Sequence, residues 1–165
     1  MKNIILIGMP GAGKSTVGVI LAKTLGMNFI DTDIVIQKNT GRLLQEIINA
    51  DGIDAFLKIE ESTLLSLNFS NSVIATGGSV VLSESSMDYL RKNGIVIYLY
   101  IIYEEMVQRL NNIMSRGVVL SKGQSLLDLY NQRISLYEKY ADITLDCSDM
   151  DVENIIENVV NEIYS

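Results

Sequence analysis

The chain has 165 residues, a length that suits one domain able to bury a core of its own. Cys147 is its single cysteine and it has no histidine, which excludes an internal disulfide, a cysteine-based zinc site, serine–histidine triads and imidazole acid–base chemistry. A net charge of −7 argues against a nucleic-acid partner, whose phosphates call for a cationic surface, and leaves small anions only where a few cations are gathered.

The first predicted strand is Asn3–Ile7. Gly8-Met9-Pro10-Gly11 interrupts its apolar run well short of a signal-peptide core or a membrane span, so a soluble, cytoplasmic protein with no membrane partner is expected. Gly8-Met9-Pro10-Gly11-Ala12-Gly13-Lys14-Ser15 then matches G-x-x-x-x-G-K-[ST], the phosphate loop, between that strand and a helix predicted over Lys14–Leu25. Gly11 and Gly13 allow backbone angles closed to other residues, so that successive N–H groups can turn inward around a polyphosphate, and the helix aims its positive end at the same charge. Gly11, Ala12, Gly13, Lys14, Ser15 and Thr16 are thus the expected nucleotide-binding run, with ATP and Mg2+ as the expected cofactors. Lys14 would reach the β- and γ-phosphates and the Ser15 hydroxyl would take a magnesium position. Such a loop serves motors, switches and small-molecule kinases alike, so it does not name a reaction.

A second strand over Asn28–Asp31 brings Asp31-Thr32-Asp33 to its carboxyl end, the edge where ligands gather in open α/β sheets. In extended backbone Asp31 and Asp33 would project the same way and Thr32 the other. One carboxylate could hold the magnesium shell through water, the role expected of Asp31, and the other a substrate hydroxyl, the role expected of Asp33. Helices are predicted at Asp33–Lys38, Arg42–Ile48 and Asp54–Leu67, then a strand at Val73–Thr76, a helix at Ser83–Lys92 and a strand at Ile95–Tyr100. A helix at Glu104–Ile113 leads into an irregular stretch, Ser115–Gln124, whose length suggests a lid or binding loop. Helix Leu126–Tyr140, strand Asp142–Leu145 and helix Val152–Ile163 complete the chain. Apolar strands alternating with longer helical segments imply an α/β fold with a parallel sheet. With no linker or internal repeat, a single domain over residues 1–165 is expected.

Over most of its length the sequence resembles the shikimate kinases. The resemblance runs from the phosphate loop through Asp31-Thr32-Asp33, Gly41 with Glu46-Ile47, Asp51-Gly52 leading to Phe56 and Glu60, and Ile74-Ala75-Thr76-Gly77-Gly78. It ends on Arg133 with Leu136-Tyr137-Glu138 and Ala141-Asp142. It implies a P-loop kinase fold with five parallel strands in order 2-3-1-4-5, a substrate-binding helical insert at about residues 33–60 and a lid at about 113–124. It also implies transfer of the ATP γ-phosphoryl to the 3-hydroxyl of shikimate, by a protein expected to be a monomer. Carried across, Asp33 would hold the reacting hydroxyl, Gly77 and Gly78 would offer backbone to the substrate, Arg133 would clamp its carboxylate, and Arg116 would be a lid arginine over the nucleotide phosphates.

Three positions depart from the family pattern. Leu57 stands where the family has an arginine that grips the shikimate carboxylate, Ser79 replaces the third glycine of a Gly-Gly-Gly turn, and Arg116-Gly117-Val118-Val119-Leu120 lacks the family's lid proline. These changes fall on the substrate side. They keep open two other readings, a kinase for a different small hydroxylated acid or polyol and a nucleotide-binding module without catalysis. Cys147 and the methionines Met9, Met27, Met87, Met106, Met114 and Met150 are read as packing residues, as are Tyr98, Tyr100 and Tyr103.

Overall fold

In the computed structural model, which describes residues 2–111 and 118–165, five strands form one parallel sheet. They are β1 (Asn3–Ile7), β2 (Asn28–Asp31), β3 (Ser72–Ala75), β4 (Gly94–Tyr100) and β5 (Ile143–Asp146), in the spatial order β2-β3-β1-β4-β5. All four strand pairs are parallel, with Ile5 of β1 level with Ile74 of β3 on one side and with Val96 of β4 on the other. Ile4, Ile5, Leu6, Ile7, Val73, Ile74, Val96, Ile97 and Leu99 are all buried, as a sheet covered on both faces requires.

The helices are α1 (Lys14–Leu25), α2 (Thr32–Thr40), α3 (Leu44–Asp51), α4 (Ile53–Leu65), α5 (Glu84–Asn93), α6 (Tyr103–Asn111), α7 (Leu126–Tyr140) and α8 (Val152–Tyr164). Sequence chemistry sets their ends. α1 lies between Gly13 and Gly26, both at positive φ, and the Ser125 hydroxyl accepts the Asp128 N–H at the start of α7. Close packing of α1 on the sheet demands Gly18, because a Cβ there would lie 2.6 Å from Cε1 of Phe29. The fold class and strand order agree with expectation. A 3-10 turn at Val80–Leu82, one residue after the glycine pair, is new.

Two apolar clusters result. The larger surrounds the sheet. The smaller, Ile36, Leu44, Ile47, Phe56 and Val119, knits α2, α3 and α4 together under a residue of the 118–120 stretch. Arg42 and Asp51 form a bidentate ion pair across the ends of α3, with contacts of 2.6 and 3.2 Å, which gives Asp51 of the family pattern a structural task. Cys147 is fully buried and burial pushes its thiol up to about 12, so it is an inert packing group. Met9, Met27, Met87 and Met106 are buried as well. No described helix is long and apolar enough to cross a membrane.

Candidate active site

The carboxyl ends of β1, β2 and β3 open into a cavity of about 450 Å³. Gly11, Gly13, Lys14, Ser15 and Thr16 of the phosphate loop line it together with Asp33 of α2, Glu60 of α4, Arg133 of α7, and Gly77 and Gly78. The expected nucleotide and acceptor residues therefore meet around one space.

In the phosphate loop, Gly11 has φ 84° and Gly13 φ 90°, both in the left-handed region that the sequence demanded of glycine. Lys14 is only 8% exposed, and its ammonium donates to the carbonyls of Gly8 at 2.7 Å and Met9 at 2.8 Å. These bonds hold the charge at the mouth of the loop. Ala12 closes the turn by donating its N–H to the Met9 carbonyl. Sequence reasoning missed Arg109 of α6, which donates to the Gly11 carbonyl at 2.8 Å and pairs with Glu105. It belongs to no motif, and its only sequence signal is a cation at the end of a helix that opens with two acids.

The extended reading of Asp31-Thr32-Asp33 needs correction. Asp31 ends β2 and caps α2, its Oδ1 accepting the N–H groups of Asp33 and Ile34, so the chain turns helical at Thr32 and the strand alternation stops. Asp31 Oδ2 instead accepts the Ser15 hydroxyl at 2.6 Å, while Asp33 faces the cavity. Thr32 is buried and its hydroxyl accepts the Gly77 N–H, tying this corner to the glycine turn. A hydroxyl backed by a carboxylate at the phosphate loop fits a magnesium ion that keeps most of its water. Among the described residues no cluster of three acidic, cysteine or histidine side chains offers an all-protein cage.

Gly77 and Gly78 are glycine because the space around them is full. A Cβ on Gly77 would stand 2.8 Å from Asp33 Oδ1 and from Glu60 Oε2, and one on Gly78 would crowd Pro10 at 3.0 Å and Arg133 Nη1 at 3.2 Å. Ser79 has φ −87°, an ordinary right-handed angle, so a side chain is accommodated there without backbone strain. Arg133 is 2% exposed and donates to the Val119 carbonyl at 2.9 Å, yet among the described residues no carboxylate reaches ion-pair distance of it. A buried cation of that kind is costly until an anion arrives. Leu57 does not line this cavity. It borders a smaller one of about 130 Å³, shared with Lys58, Glu60, Glu61 and Ser79. Arg116 and most of the expected lid's first half lie outside the described residues, whereas Val118 and Val119 line the main cavity.

Comparison with known proteins agrees with this geometry. The family model for shikimate kinase matches residues 10–164. Shikimate kinase from Caldanaerobacter subterraneus is 37% identical over 97% of this chain and 95% of that protein, and the Haemophilus influenzae enzyme is 39% identical over 97% and 91%. Among solved structures, shikimate kinase from Acinetobacter baumannii in complex with shikimate superposes with a TM-score of 0.92 at 32% identity, covering 99% of this chain and 93% of that one. A phosphate loop, an acidic corner and a buried arginine around one cavity, in a chain matched almost end to end, lead to one assignment: the chain belongs to the shikimate kinase family.

Proposed function

We propose that the chain transfers the γ-phosphoryl of ATP to the 3-hydroxyl of shikimate, and that the acceptor sits in the 450 Å³ cavity with its carboxylate on Arg133. The observation that carries this reading is the buried Arg133 without a carboxylate at ion-pair distance among the described residues, lining the same cavity as Lys14 and Asp33. An arginine matches a planar carboxylate with two parallel donors, and Arg133 is fixed for that task by its bond to Val119.

The phosphate loop would cradle the triphosphate with its amides, and Lys14 would exchange its Gly8 and Met9 carbonyls for phosphate oxygens. Mg2+, when bound, supplies charge neutralisation between the phosphates. Ser15, backed by Asp31, is the residue suited to hold it. Asp33 would orient the acceptor hydroxyl toward the γ-phosphorus. As the new oxygen–phosphorus bond forms and the bond to the ADP oxygen breaks, the hydroxyl proton passes to Asp33. Positioning and cations carry most of such a reaction, which suits a site without histidine.

The insert and lid assigned from the sequence belong to this proposal, with α2, α3 and α4 forming the acceptor side. A coupled assay for ADP release tests the reading. Shikimate should support turnover far above buffer and above other hydroxy acids and polyols. Turnover with one of those compounds and none with shikimate would replace the acceptor, a possibility that Leu57 makes worth the measurement.

A further inference from the structure

Arg133 and Tyr137 stand one helical turn apart on the same face of α7, and both are buried. Arg133 lines the main cavity, whereas Tyr137 does not, and the transfer reaction makes no use of it. The Tyr137 hydroxyl reaches 59 residues back along the chain and donates to the Gly78 carbonyl at 2.6 Å. Gly78 does line the cavity, and it packs so closely on α7 that a Cβ there would lie 3.2 Å from Arg133 Nη1. One phenol thus joins the glycine turn to the helix that carries the guanidinium, beside the point where the two abut. The other bonds of the turn are longer, with the Gly77 N–H donating to Thr32 Oγ1 at 3.3 Å and the Gly77 carbonyl accepting the Val80 N–H at 3.2 Å. They tie the turn to the acidic corner and to the 3-10 turn that follows, while the phenol ties it to α7. Tyr98 of β4 holds the Tyr137 ring in its turn, with centroids 5.0 Å apart and planes inclined by 31°. Burial pushes the Tyr137 phenol up to about 12, with Arg133 acting against the rise and Glu60 adding to it, so the hydroxyl keeps its proton and remains a donor.

Resting on the shikimate reading, we infer that Tyr137 is a positioning residue for the acceptor, whose hydroxyl fixes the glycine turn against Arg133 and keeps the Gly78 carbonyl away from the guanidinium's donors. Two consequences follow from the geometry. The acceptor is one ring, and its carboxylate is to meet Arg133 while its reacting hydroxyl meets Asp33, so the walls that hold it must keep a fixed spacing. Hydrogen bonds weaken steeply away from their ordinary length, and a misplacement of about 1 Å is costly. A Gly78 carbonyl released by the phenol would also be a rival acceptor beside Arg133, in competition with the substrate's carboxylate for the same N–H groups. Phenylalanine at 137 would keep the ring against Tyr98 and delete the tether alone. Gly78 also abuts Pro10 of the phosphate loop, where a Cβ would meet Cδ at 3.0 Å, so the affinity for ATP decides whether the effect stays on the acceptor.

The test is steady-state kinetics of the whole chain with both substrates, in the wild type, Tyr137→Phe, Tyr98→Phe, Arg133→Lys and the double variant Arg133→Lys with Tyr137→Phe. Tyr137→Phe should raise KM for shikimate about tenfold, as expected for one hydrogen bond lost in a buried setting, and leave KM for ATP within about twofold. Tyr98→Phe deletes the hydroxyl of the neighbouring ring, which has no partner among the described residues, and should change neither constant. With lysine at 133 the guanidinium is gone, so Tyr137→Phe should then raise KM for shikimate by no more than about threefold. An unchanged KM for shikimate in Tyr137→Phe would overturn the assignment, as would an equal rise for both substrates. A rise in Tyr98→Phe as large as that in Tyr137→Phe would overturn it too, and so would effects at 133 and 137 that simply multiply. A wild type that binds ATP but turns over no shikimate would overturn the acceptor reading itself, and the inference with it.

Discussion

Replacing Glu60 with glutamine should change how stability depends on pH, and the size of the change follows from the structure. Burial is the largest influence on this carboxyl. The Ser79 hydrogen bond opposes it, Asp33 adds to it, and Arg133 and Lys14 offset part of it, leaving the group raised from 4.5 to about 7. Below pH 4.5 the folded and unfolded chains both hold the proton, and the group contributes no pH dependence. Between 4.5 and 7 the unfolded chain releases the proton while the folded chain keeps it, so stability falls as pH rises. Above 7 the loss is complete, and at about 1.4 kcal/mol per unit it amounts to about 3 kcal/mol. Glutamine fills the same volume and keeps an acceptor for Ser79, but it does not ionise. Urea unfolding of the ligand-free wild type and Glu60→Gln should therefore give curves whose separation grows in favour of the variant by about 3 kcal/mol from pH 4 to pH 8. Parallel curves across that range would refute the reasoning, since the carboxyl would then ionise as readily folded as unfolded.

Lys14→Ala removes the ammonium that the Gly8 and Met9 carbonyls hold at the mouth of the loop, and turnover should fall by about 10²–10³-fold with the circular dichroism spectrum retained. Near-normal turnover would contradict its place on the phosphates. Leu57→Arg sets a guanidinium beside Glu60 and the acceptor cavity, so KM for shikimate should fall by about tenfold and Glu60's pH-dependent loss of stability should shrink. A rise in KM would count against shikimate as the acceptor. Gly18→Ala places a Cβ 2.6 Å from the Phe29 ring and should lower stability by about 1–3 kcal/mol in thermal unfolding, without altering KM for either substrate.

The nucleotide half of the molecule was legible in the sequence because local chemistry dictates it. The bounds of α1 coincide with the prediction because Gly13 and Gly26 both adopt angles that only glycine takes readily, and α7 begins where Ser125 caps it. The acidic corner was less legible. Three residues at a strand end read as extended backbone, but the Asp31 side chain captures the next two N–H groups and starts a helix, so Asp31 turns to Ser15 and Asp33 alone faces the cavity. The burial of Arg133 was not legible in its own helix. Its guanidinium is held by the carbonyl of Val119, fourteen residues earlier in the chain, a contact that no short window contains. Glu60 did leave a trace, since it follows Phe56 by four residues and Thr63 and Leu64 continue the same buried face. What that spacing could not tell is that the carboxyl would line the cavity with one oxygen bonded to Ser79 and the other buried without a partner among the described residues.

Leu57 and Ser79 read as two separate losses when taken along the chain, a missing charge and a missing glycine. In space they border one small cavity with Glu60 between them, and their effects are no longer independent. An arginine at 57 would favour a carboxylate at 60, to which a serine hydroxyl adds little. A leucine there leaves a carboxyl that burial drives toward neutrality, and one oxygen of it then depends on the hydroxyl that position 79 provides. Because Ser79 sits at an ordinary backbone angle, that hydroxyl is gained without strain. On the proposed reading the cation for the acceptor's carboxylate is Arg133, which is already buried and held by the Val119 carbonyl. On the proposed reading, acceptor recognition is shifted rather than lost, with Arg133 carrying the charge and Asp33 holding the reacting hydroxyl in the same cavity.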